Sequence, residues 1–208
     1  MSKGWLSYIR PIVLYNLLRP IGILICKVLF RLTVKGLENI PAEGKAVIAV
    51  NHSSYLDPVV VGTVVPRKIK WIILKSIYHL WWLKWLFVLT EMIPENGAIE
   101  KSLSELKNDE LLGIFPEGTR SRNGALHAGR EGVAILAIKG AAPIIPCAIR
   151  GAFEAYPRDA IFPKPHPIKI LIGTPLKFEP DEEPDEAKLA AAVDKIMSAI
   201  KSLMEEEI

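Results

Sequence analysis

Residues 46–57 read AVIAVNHSSYLD, an apolar run of five residues followed by a polar turn that contains one histidine and one aspartate. A short run of Ala, Val and Ile bounded by turn residues is typical of a buried strand. The Asp57-Pro58 step predicts that a helix begins there. The stretch therefore predicts a strand, a turn and a helix, with His52 and Asp57 on the turn, where functional side chains tend to lie.

His52 and Asp57 have the chemistry of a base and its orienting group. An imidazole with an ordinary pKa near ~6.5 accepts a proton at neutral pH, and a carboxylate on its other nitrogen fixes the tautomer and stabilises the imidazolium. The same spacing also fits a helix-capping aspartate beside a surface histidine. The spacing alone does not separate these two interpretations.

A second polar cluster, residues 115–124, reads FPEGTRSRNG and again follows an apolar run, residues 111–114. Gly118 permits close approach of backbone to a ligand. The side chains after it offer donors suited to phosphate oxygens, and an arginine fork meets two oxygens at once. These donors are Thr119, Arg120, Ser121 and Arg122. Taken alone, the cluster also fits a Gly-rich turn with solvated arginines.

With both clusters in this order, the chain resembles the glycerolipid acyltransferase family, most closely the 1-acylglycerol-3-phosphate (lysophosphatidic acid) acyltransferases. The family signatures are N-H-x4-D and F-P-E-G-T-R-S, and the resemblance runs from about Gly36 to Pro175. It implies transfer of a fatty acyl group from acyl-CoA or acyl carrier protein to the free hydroxyl of lysophosphatidic acid, forming phosphatidic acid. It implies no cofactor, no metal and no nucleic acid partner.

The resemblance also implies roles for single residues. His52 and Asp57 would be catalytic, and the block Glu117, Gly118, Thr119, Arg120 and Arg122 would bind the acceptor phosphate. Glu117 is an odd neighbour for an anion, so we expect it to hydrogen-bond backbone or an arginine and to shape the loop. Further substrate-site candidates are Asn51, Arg130, Pro146 and Arg150.

Direct transfer without an acyl-enzyme is the expected mechanism. Ser53 and Ser54 are poor nucleophile candidates, because a residue adjacent to the base in sequence seldom points at it. Neither lies in a G-x-S-x-G elbow.

The sequence departs from the family in the block between the two clusters. The family carries an arginine there that helps to hold the phosphate, whereas residues 90–97 have Glu95 or Asn96 at that place. Either Arg120, Arg122, Arg130 or Arg150 takes over the phosphate, or the acceptor is another lysolipid, such as a lysophospholipid with a larger headgroup or a lyso-aminolipid.

Residues 142–151, APIIPCAIRG, resemble the family's fourth block, a proline-bounded strand on the acyl-donor side. Pro146 has no N–H and suits a bulge or an edge, where it would help to wall an acyl channel. A plain buried strand fits the same residues.

Composition and charge agree with one domain that bears a small apolar, basic appendage. Of the 208 residues, 50% are hydrophobic and 24% charged. Residues 1–75 hold 11 Lys/Arg against 3 Asp/Glu, a charge of +8, and residues 76–208 hold 15 against 20, a charge of −5. Cys26 and Cys147 lie far apart in apolar runs, so reduced, cytoplasmic chemistry is expected.

The N-terminal residues 1–32 are predicted to lie in the membrane interface, before a catalytic domain at 33–208. Pro20 and Gly22 divide this segment into helices near 5–18 and 21–32. Their polar residues share one arc at 100° per residue, which favours a helix lying at the surface of the bilayer. These residues are Asn16, Arg19, Lys27 and Arg31. A buried helical hairpin packed on the core is the alternative.

A cluster of aromatic and basic residues supports a peripheral or monotopic protein on anionic lipid, at the cytoplasmic face of the cell membrane. Trp and Tyr collect at the lipid headgroup level, and neighbouring lysines favour anionic lipid. The cluster comprises Trp71, Trp81, Trp82, Trp85, Tyr78, His79, Lys70, Lys75 and Lys84.

The rest of the chain alternates short strands with helices and predicts an α/β fold, a mixed central sheet flanked by helices. Strands are expected near 33–36, 46–51, 69–74, 90–93, 111–115, 143–149 and 168–173, and helices near 58–65, 76–88, 98–108, 130–140 and 185–204. The acidic run 179–186 is expected to cap the last helix.

Two alternatives to acyl transfer from a soluble thioester remain open at this level. The His-Asp pair could activate water or a second lipid, as in a hydrolase or a transacylase. The chain could also be a degenerate family member that only binds lipid.

Overall fold

The computed structural model of the protein describes residues 19–73, 93–94 and 97–207. Within these ranges the strands are β1 (Thr33–Lys35), β2 (Ala46–Val50), β3 (Lys70–Ile73), β4 (Ile93–Pro94), β5 (Leu111–Ile114), β6 (Ile144–Arg150) and β7 (Lys169–Ile172). The helices are α1 (residues 19–30), α2 (Asp57–Val64), α3 (Ala98–Lys107), α4 (Gly132–Ile138), α5 (Ala152–Ala155) and α6 (Glu186–Glu205), with a 3-10 turn at Leu37–Asn39.

The seven described strands form one sheet in the order β1-β7-β6-β2-β5-β3-β4. Neighbouring strands are parallel, except that β6 and β7 are antiparallel. All five residues of β2 are fully buried, as expected for an inner strand covered on both faces. The predicted α/β fold with a mixed central sheet flanked by helices is confirmed.

Alternate residues of β2 face two separate apolar cores. Ala46, Ile48 and Val50 pack in a cluster with side chains of α1, α2 and α5. Val47 and Ala49 pack in a second cluster with side chains of α3, α4 and α6. Because β2 belongs to both cores, the turn that follows Val50 starts from a fixed position.

Most of the observed elements follow the predicted ones closely, whereas the short helix α5 and the 3-10 turn at Leu37–Asn39 were not predicted. The predicted strands near 46–51, 111–115 and 143–149 agree with β2, β5 and β6 to within one residue at each end. The predicted N-cap is confirmed as well, since Asp185 accepts a hydrogen bond from Lys188 N at 2.7 Å. Predicted segments that lie outside the described residues are the helices near 5–18 and 76–88 and most of the strand near 90–93.

Helix α1 has one apolar face on the core and another facing outward. Cys26 and Phe30 are 5% exposed and belong to the first core. The outward face consists of exposed apolar side chains, namely Ile21, Leu24, Ile25, Val28 and Leu29. The described part of the chain contains no helix that combines the length and the apolarity needed to span a bilayer.

The predicted polar arc of this segment is only partly on the surface. Lys27 and Arg31 are exposed, and Asn16 lies outside the described residues. Arg19, by contrast, donates from Nε to Thr63 O and from Nη2 to Val64 O, both at 2.9 Å. A guanidinium at the C-terminal carbonyls of a helix is favoured by the helix dipole, so Arg19 fixes α1 to α2.

The expectation of a headgroup-level cluster is wrong for Trp71 and Lys70. Trp71 is 2% exposed and fills the first core. Lys70 is 7% exposed, and its Nζ lies 2.7 Å from Glu105 Oε2 and 3.0 Å from Glu110 Oε1. Burial alone would lower the pKa of Lys70, but its hydrogen bonds to the two carboxylates outweigh burial and raise it. Trp81, Trp82 and Trp85 lie outside the described residues.

Gly113 of β5 leaves the space that Trp71 fills. A Cβ atom at Gly113 would lie 2.5 Å from Trp71 Cε3 and 2.7 Å from Ile69 Cγ2. Both distances are too short for carbon atoms in contact, so the tryptophan depends on a glycine in the neighbouring strand.

Replacing Gly113 with Ala should therefore lower the free energy of unfolding by about 1–3 kcal/mol, the usual cost of overpacking a core. Urea unfolding measures the change. Gly62→Ala is the matched control, because a Cβ there would meet the same tryptophan at an ordinary 3.8 Å and alanine favours helix. Equal stability of the two variants would contradict a tightly held Trp71.

Candidate active site

The two polar motifs meet at one edge of the sheet. Strands β2 and β5 are parallel neighbours, with Ala49 paired to Ile114. Their carboxyl ends therefore lie side by side, and the turns that follow them leave the sheet together. This arrangement brings residues 51–57 and 115–124 into one site.

Asp57 holds the imidazole of His52 from a fully buried position. Asp57 Oδ2 lies 2.8 Å from His52 Nδ1 and accepts hydrogen bonds from the N–H groups of Ser53 and Ser54, both at 2.7 Å. The Asp57 side chain has no exposed surface, and that of His52 is 14% exposed. With Nδ1 bound to the carboxylate, Nε2 is the ring nitrogen able to take a proton from a substrate.

Glu117 binds the two motifs together through backbone. Its Oε1 accepts from His52 N at 2.7 Å and its Oε2 accepts from His127 N at 2.9 Å. Ser121 N donates to His52 O at 2.7 Å, so both backbone polar groups of His52 are bound by the second motif. Burial raises the pKa of Glu117, although the two N–H bonds oppose this rise. Glu117 thus shapes the loop, as expected, and both of its oxygens are occupied by backbone.

A stack of three aromatic rings supports the imidazole. The rings of His52 and Phe115 are 3.9 Å apart and inclined by 16°, and Phe115 lies 4.9 Å from Trp71 at 10°. Phe115 begins the second motif and Trp71 belongs to the core. The ring of His52 is therefore fixed both by a hydrogen bond in its plane and by packing on its face.

Arg120 is the motif residue best placed for an anion. Its guanidinium lies 3.5 Å from the centroid of the Tyr55 ring, a cation–π contact. Its Nη1 is buried and has no hydrogen-bond partner among the described residues. Burial lowers the pKa of Arg120, and nearby Arg158 lowers it further, whereas Tyr55 and Asp57 raise it. A buried donor without an acceptor, in a cationic surrounding, favours an anionic ligand.

Gly118 and Arg130 form the other wall of this turn. Gly118 has φ of 66°, a left-handed conformation that favours glycine. A Cβ atom there would lie 2.5 Å from Arg130 Nε, so the Arg130 side chain passes directly over the glycine. Thr119 and Arg122, from the same motif, are exposed. Arg130 is exposed as well, but its side chain lies against the turn, next to Gly118.

The remaining candidates have structural partners. The Asn51 side chain forms two hydrogen bonds with the backbone of Ile149. Asn51 Nδ2 donates to Ile149 O at 3.0 Å, and Asn51 Oδ1 accepts from Ile149 N at 2.7 Å. Arg150 donates from Nη1 to Glu206 O at 2.6 Å, and it also lines a cavity of about 400 Å³ that adjoins Ser53. Pro146 pairs with Ala49 in an inner strand, so the expected edge or bulge position is wrong and the plain buried strand is right.

Some residues at the site have no assigned role in the sequence interpretation. Phe115 and Tyr55 lie inside the two motifs, so the sequence predicts that they lie near the site. It does not predict that Phe115 stacks on His52 or that Tyr55 lies against Arg120. Tyr156 and Arg158 come from a segment without a motif. The ring of Tyr156 is 6.2 Å from that of Tyr55, and its carbonyl accepts from Ser54 Oγ at 2.8 Å. Glu95 and Asn96, which replace the family arginine, lie outside the described residues.

The chain is similar to known proteins over the residues that form this site. A family model described as Acyltransferase matches residues 31–150. A 1-acyl-sn-glycerol-3-phosphate acyltransferase of Bacillus subtilis is 30% identical over 174 residues, which cover 80% of this chain and 84% of that protein. An enzyme of the same name from Cocos nucifera is 29% identical over 163 residues, 73% of this chain and 52% of that protein.

A solved structure agrees in fold. The crystal structure of the 1-acyl-sn-glycerophosphate (LPA) acyltransferase PlsC from Thermotoga maritima superposes with a TM-score of 0.78 and 19% identity, covering 100% of this chain and 86% of that one. The chain belongs to the acyltransferase family. It is therefore a transferase of acyl groups, and the His52–Asp57 pair lies within the matched residues.

Replacing Glu117 with Gln tests the bridge between the motifs. A carboxamide has one acceptor oxygen, so the N–H of either His52 or the exposed His127 would lose its acceptor, and the buried amide group would face a donor, at a cost of about 1–3 kcal/mol. We expect this loss in urea unfolding, together with at least about a tenfold lower transfer rate. Glu131→Gln, an exposed carboxylate nearby, is the control and should change neither. Wild-type stability of Glu117→Gln would contradict the bridge.

Proposed function

We propose that the protein moves a fatty acyl group from an acyl thioester to the free hydroxyl of lysophosphatidic acid, forming phosphatidic acid. The observation that carries this proposal is the Asp57–His52 pair beside Arg120, whose buried Nη1 lacks a hydrogen-bond partner in the described part of the chain. Support for the acceptor comes from the printed names of the relatives, which are 1-acyl-sn-glycerol-3-phosphate acyltransferases.

The transfer proceeds in one ternary complex. His52 Nε2 takes the proton of the acceptor hydroxyl as its oxygen attacks the thioester carbonyl. Asp57, bound at Nδ1, stabilises the resulting imidazolium. The tetrahedral intermediate collapses to the new ester and releases the thiolate, which takes the proton back from His52. Direct transfer requires no serine nucleophile, and Ser54 Oγ donates to Tyr156 O rather than to His52.

The acceptor phosphate is assigned to Arg120, with Arg130 and Arg158 as neighbouring cations. A planar guanidinium fork meets two phosphate oxygens at once. Arg150 is a weaker choice, because one of its amino groups is held by Glu206 O. With Glu95 or Asn96 where the family has an arginine, the charge for the phosphate has to come from the second motif and its neighbours. A larger headgroup on the lysolipid is the alternative acceptor.

The donor is an acyl thioester, either acyl-CoA or acyl carrier protein. Residues 1–75 carry a charge of +8, which suits both the phosphates of acyl-CoA and the acidic surface of acyl carrier protein. An assay with both donors distinguishes them.

We propose a peripheral or monotopic position at the cytoplasmic face of the cell membrane, with residues 1–32 as the interface segment and 33–208 as the catalytic domain. The exposed apolar face of α1 supports this position, because its side chains could enter the acyl boundary of an anionic bilayer while Lys27 and Arg31 meet headgroups.

Replacing His52 with Ala should abolish the activity. With lysophosphatidate and a labelled thioester, we expect kcat to fall about 10²–10⁴-fold, the usual contribution of a general base. His127→Ala is the matched control, because Glu117 binds its backbone N–H rather than its ring. Retention of more than a few per cent of activity in His52→Ala would exclude it as the base, and free fatty acid as the sole wild-type product would indicate a hydrolase.

Replacing Arg120 with Ala should weaken acceptor binding. Loss of a charge-assisted pair to phosphate is expected to raise the acceptor KM about 10–100-fold and to leave the donor KM unchanged. Steady-state kinetics with each substrate varied in turn measure both constants. Arg122→Ala, from the same motif but exposed, should have a smaller effect. An unchanged acceptor KM in Arg120→Ala would assign the phosphate to another residue.

A further inference from the structure

Two adjacent apolar side chains form the tip of the loop between α5 and β7. Ile161 and Phe162 are each 81% exposed. Large apolar side chains at such exposure, next to one another, are typical of interaction surfaces. Exposed Arg158 and Lys164 flank them, against a single carboxylate, Asp159.

Hydrogen bonds hold this tip in its outward position. Lys164 N donates to Ala155 O at 2.8 Å and closes the loop at its base. Ala160 N donates to Pro157 O at 3.1 Å, and the hydroxyl of Tyr156 donates to Ile161 O at 3.4 Å. The two apolar side chains are therefore presented by a closed loop rather than by a loose segment.

The loop is joined to the candidate active site. Tyr156, at its start, contacts the Tyr55 ring on which Arg120 lies. Tyr55 and Val59 are exposed and four residues apart. Thr63, which is half-buried, follows one helical turn later and borders Gly22 of α1, so this face of α2 leads from the loop to α1.

We propose that the Ile161–Phe162 tip inserts into an anionic lipid bilayer as a second membrane anchor beside α1. Tyr55 and Val59 lie between the two anchors. An apolar pair between two cations matches the acyl boundary and the phosphate headgroups above it. The proposal deepens the proposed function and rests on it, because a bilayer is the source of a lysolipid acceptor. The acceptor then reaches Arg120 from the membrane surface between the two anchors.

A fluorophore that responds to polarity tests the insertion. It is attached to full-length Phe162→Cys, where labelling is selective because Cys26 and Cys147 are buried. On vesicles of phosphatidylglycerol and phosphatidylcholine, the emission should shift to the blue. Leu37→Cys is the matched control. Leu37 is exposed and follows the carboxyl end of β1, which lies at the opposite end of the strands from the carboxyl end of β6, so its emission should not change. Val28→Cys reports on α1 separately.

Unchanged emission at Phe162 in protein whose Val28 label does shift would overturn the second anchor. A blue shift that needs no vesicles and grows with protein concentration would indicate self-association and would overturn it too.

The double substitution Ile161→Ser with Phe162→Ser gives an independent measurement. Removing two apolar side chains should lower partitioning onto the same vesicles about tenfold. Unfolding in urea should not change, because both side chains are exposed. The double variant should still turn over a short-chain acceptor supplied below its micelle concentration. If the wild type also fails to turn over this acceptor, the result counts against the proposed function rather than against the anchor. Unchanged partitioning would overturn the anchor.

Discussion

Both backbone polar groups of His52, its N–H and its carbonyl, are hydrogen-bonded to residues of the second motif, which follows β5. Its N–H donates to Glu117 and its carbonyl accepts from Ser121, each at 2.7 Å. A hydrogen bond to a buried charge contributes about 1.5–3 kcal/mol, so this bridge is strong enough to fix one turn against the other. His52 and Arg120 keep their separation because β2 and β5 are parallel neighbours, buried on both faces, and both turns leave from their ends.

Two buried carboxylates in this site accept hydrogen bonds from peptide N–H groups rather than from arginines, although Asp57 Oδ1 has no hydrogen-bond partner among the described residues. Asp57 accepts from Ser53 and Ser54 as well as from the imidazole, and Glu117 accepts from His52 and His127. Since neither acid is paired with a guanidinium, Arg120 rests on the Tyr55 ring with a buried donor free of protein acceptors in the described part of the chain. Backbone N–H groups thus stabilise the carboxylates of Asp57 and Glu117, and the Arg120 guanidinium stays available to an anionic ligand.

The sequence was sufficient for the sheet, for most helix bounds and for the His-Asp pair, because apolar runs followed by polar turns report local structure directly. It was not sufficient for Trp71, which stands beside lysines and tryptophans like a headgroup residue. Its burial depends on Gly113, a residue 42 positions later that only strand pairing brings near. Tyr156 and Arg158 reach the site from the segment that follows β6, where no motif marks them. Arg19 falls on the predicted surface arc, although it binds the carbonyls of α2.

Helix α1 packs one face on the core and exposes the other, so cutting the helix away and changing its surface have different consequences for the fold. Truncation at residue 32 would remove Cys26 and Phe30 from the core and Arg19 from the end of α2, leaving an open hydrophobic gap. The exposed positions, in contrast, lie outside both apolar cores of the described residues. Replacing Ile21, Leu24, Ile25, Val28 and Leu29 with polar side chains is therefore expected to change the outer surface of the helix and to leave its packing on the core in place.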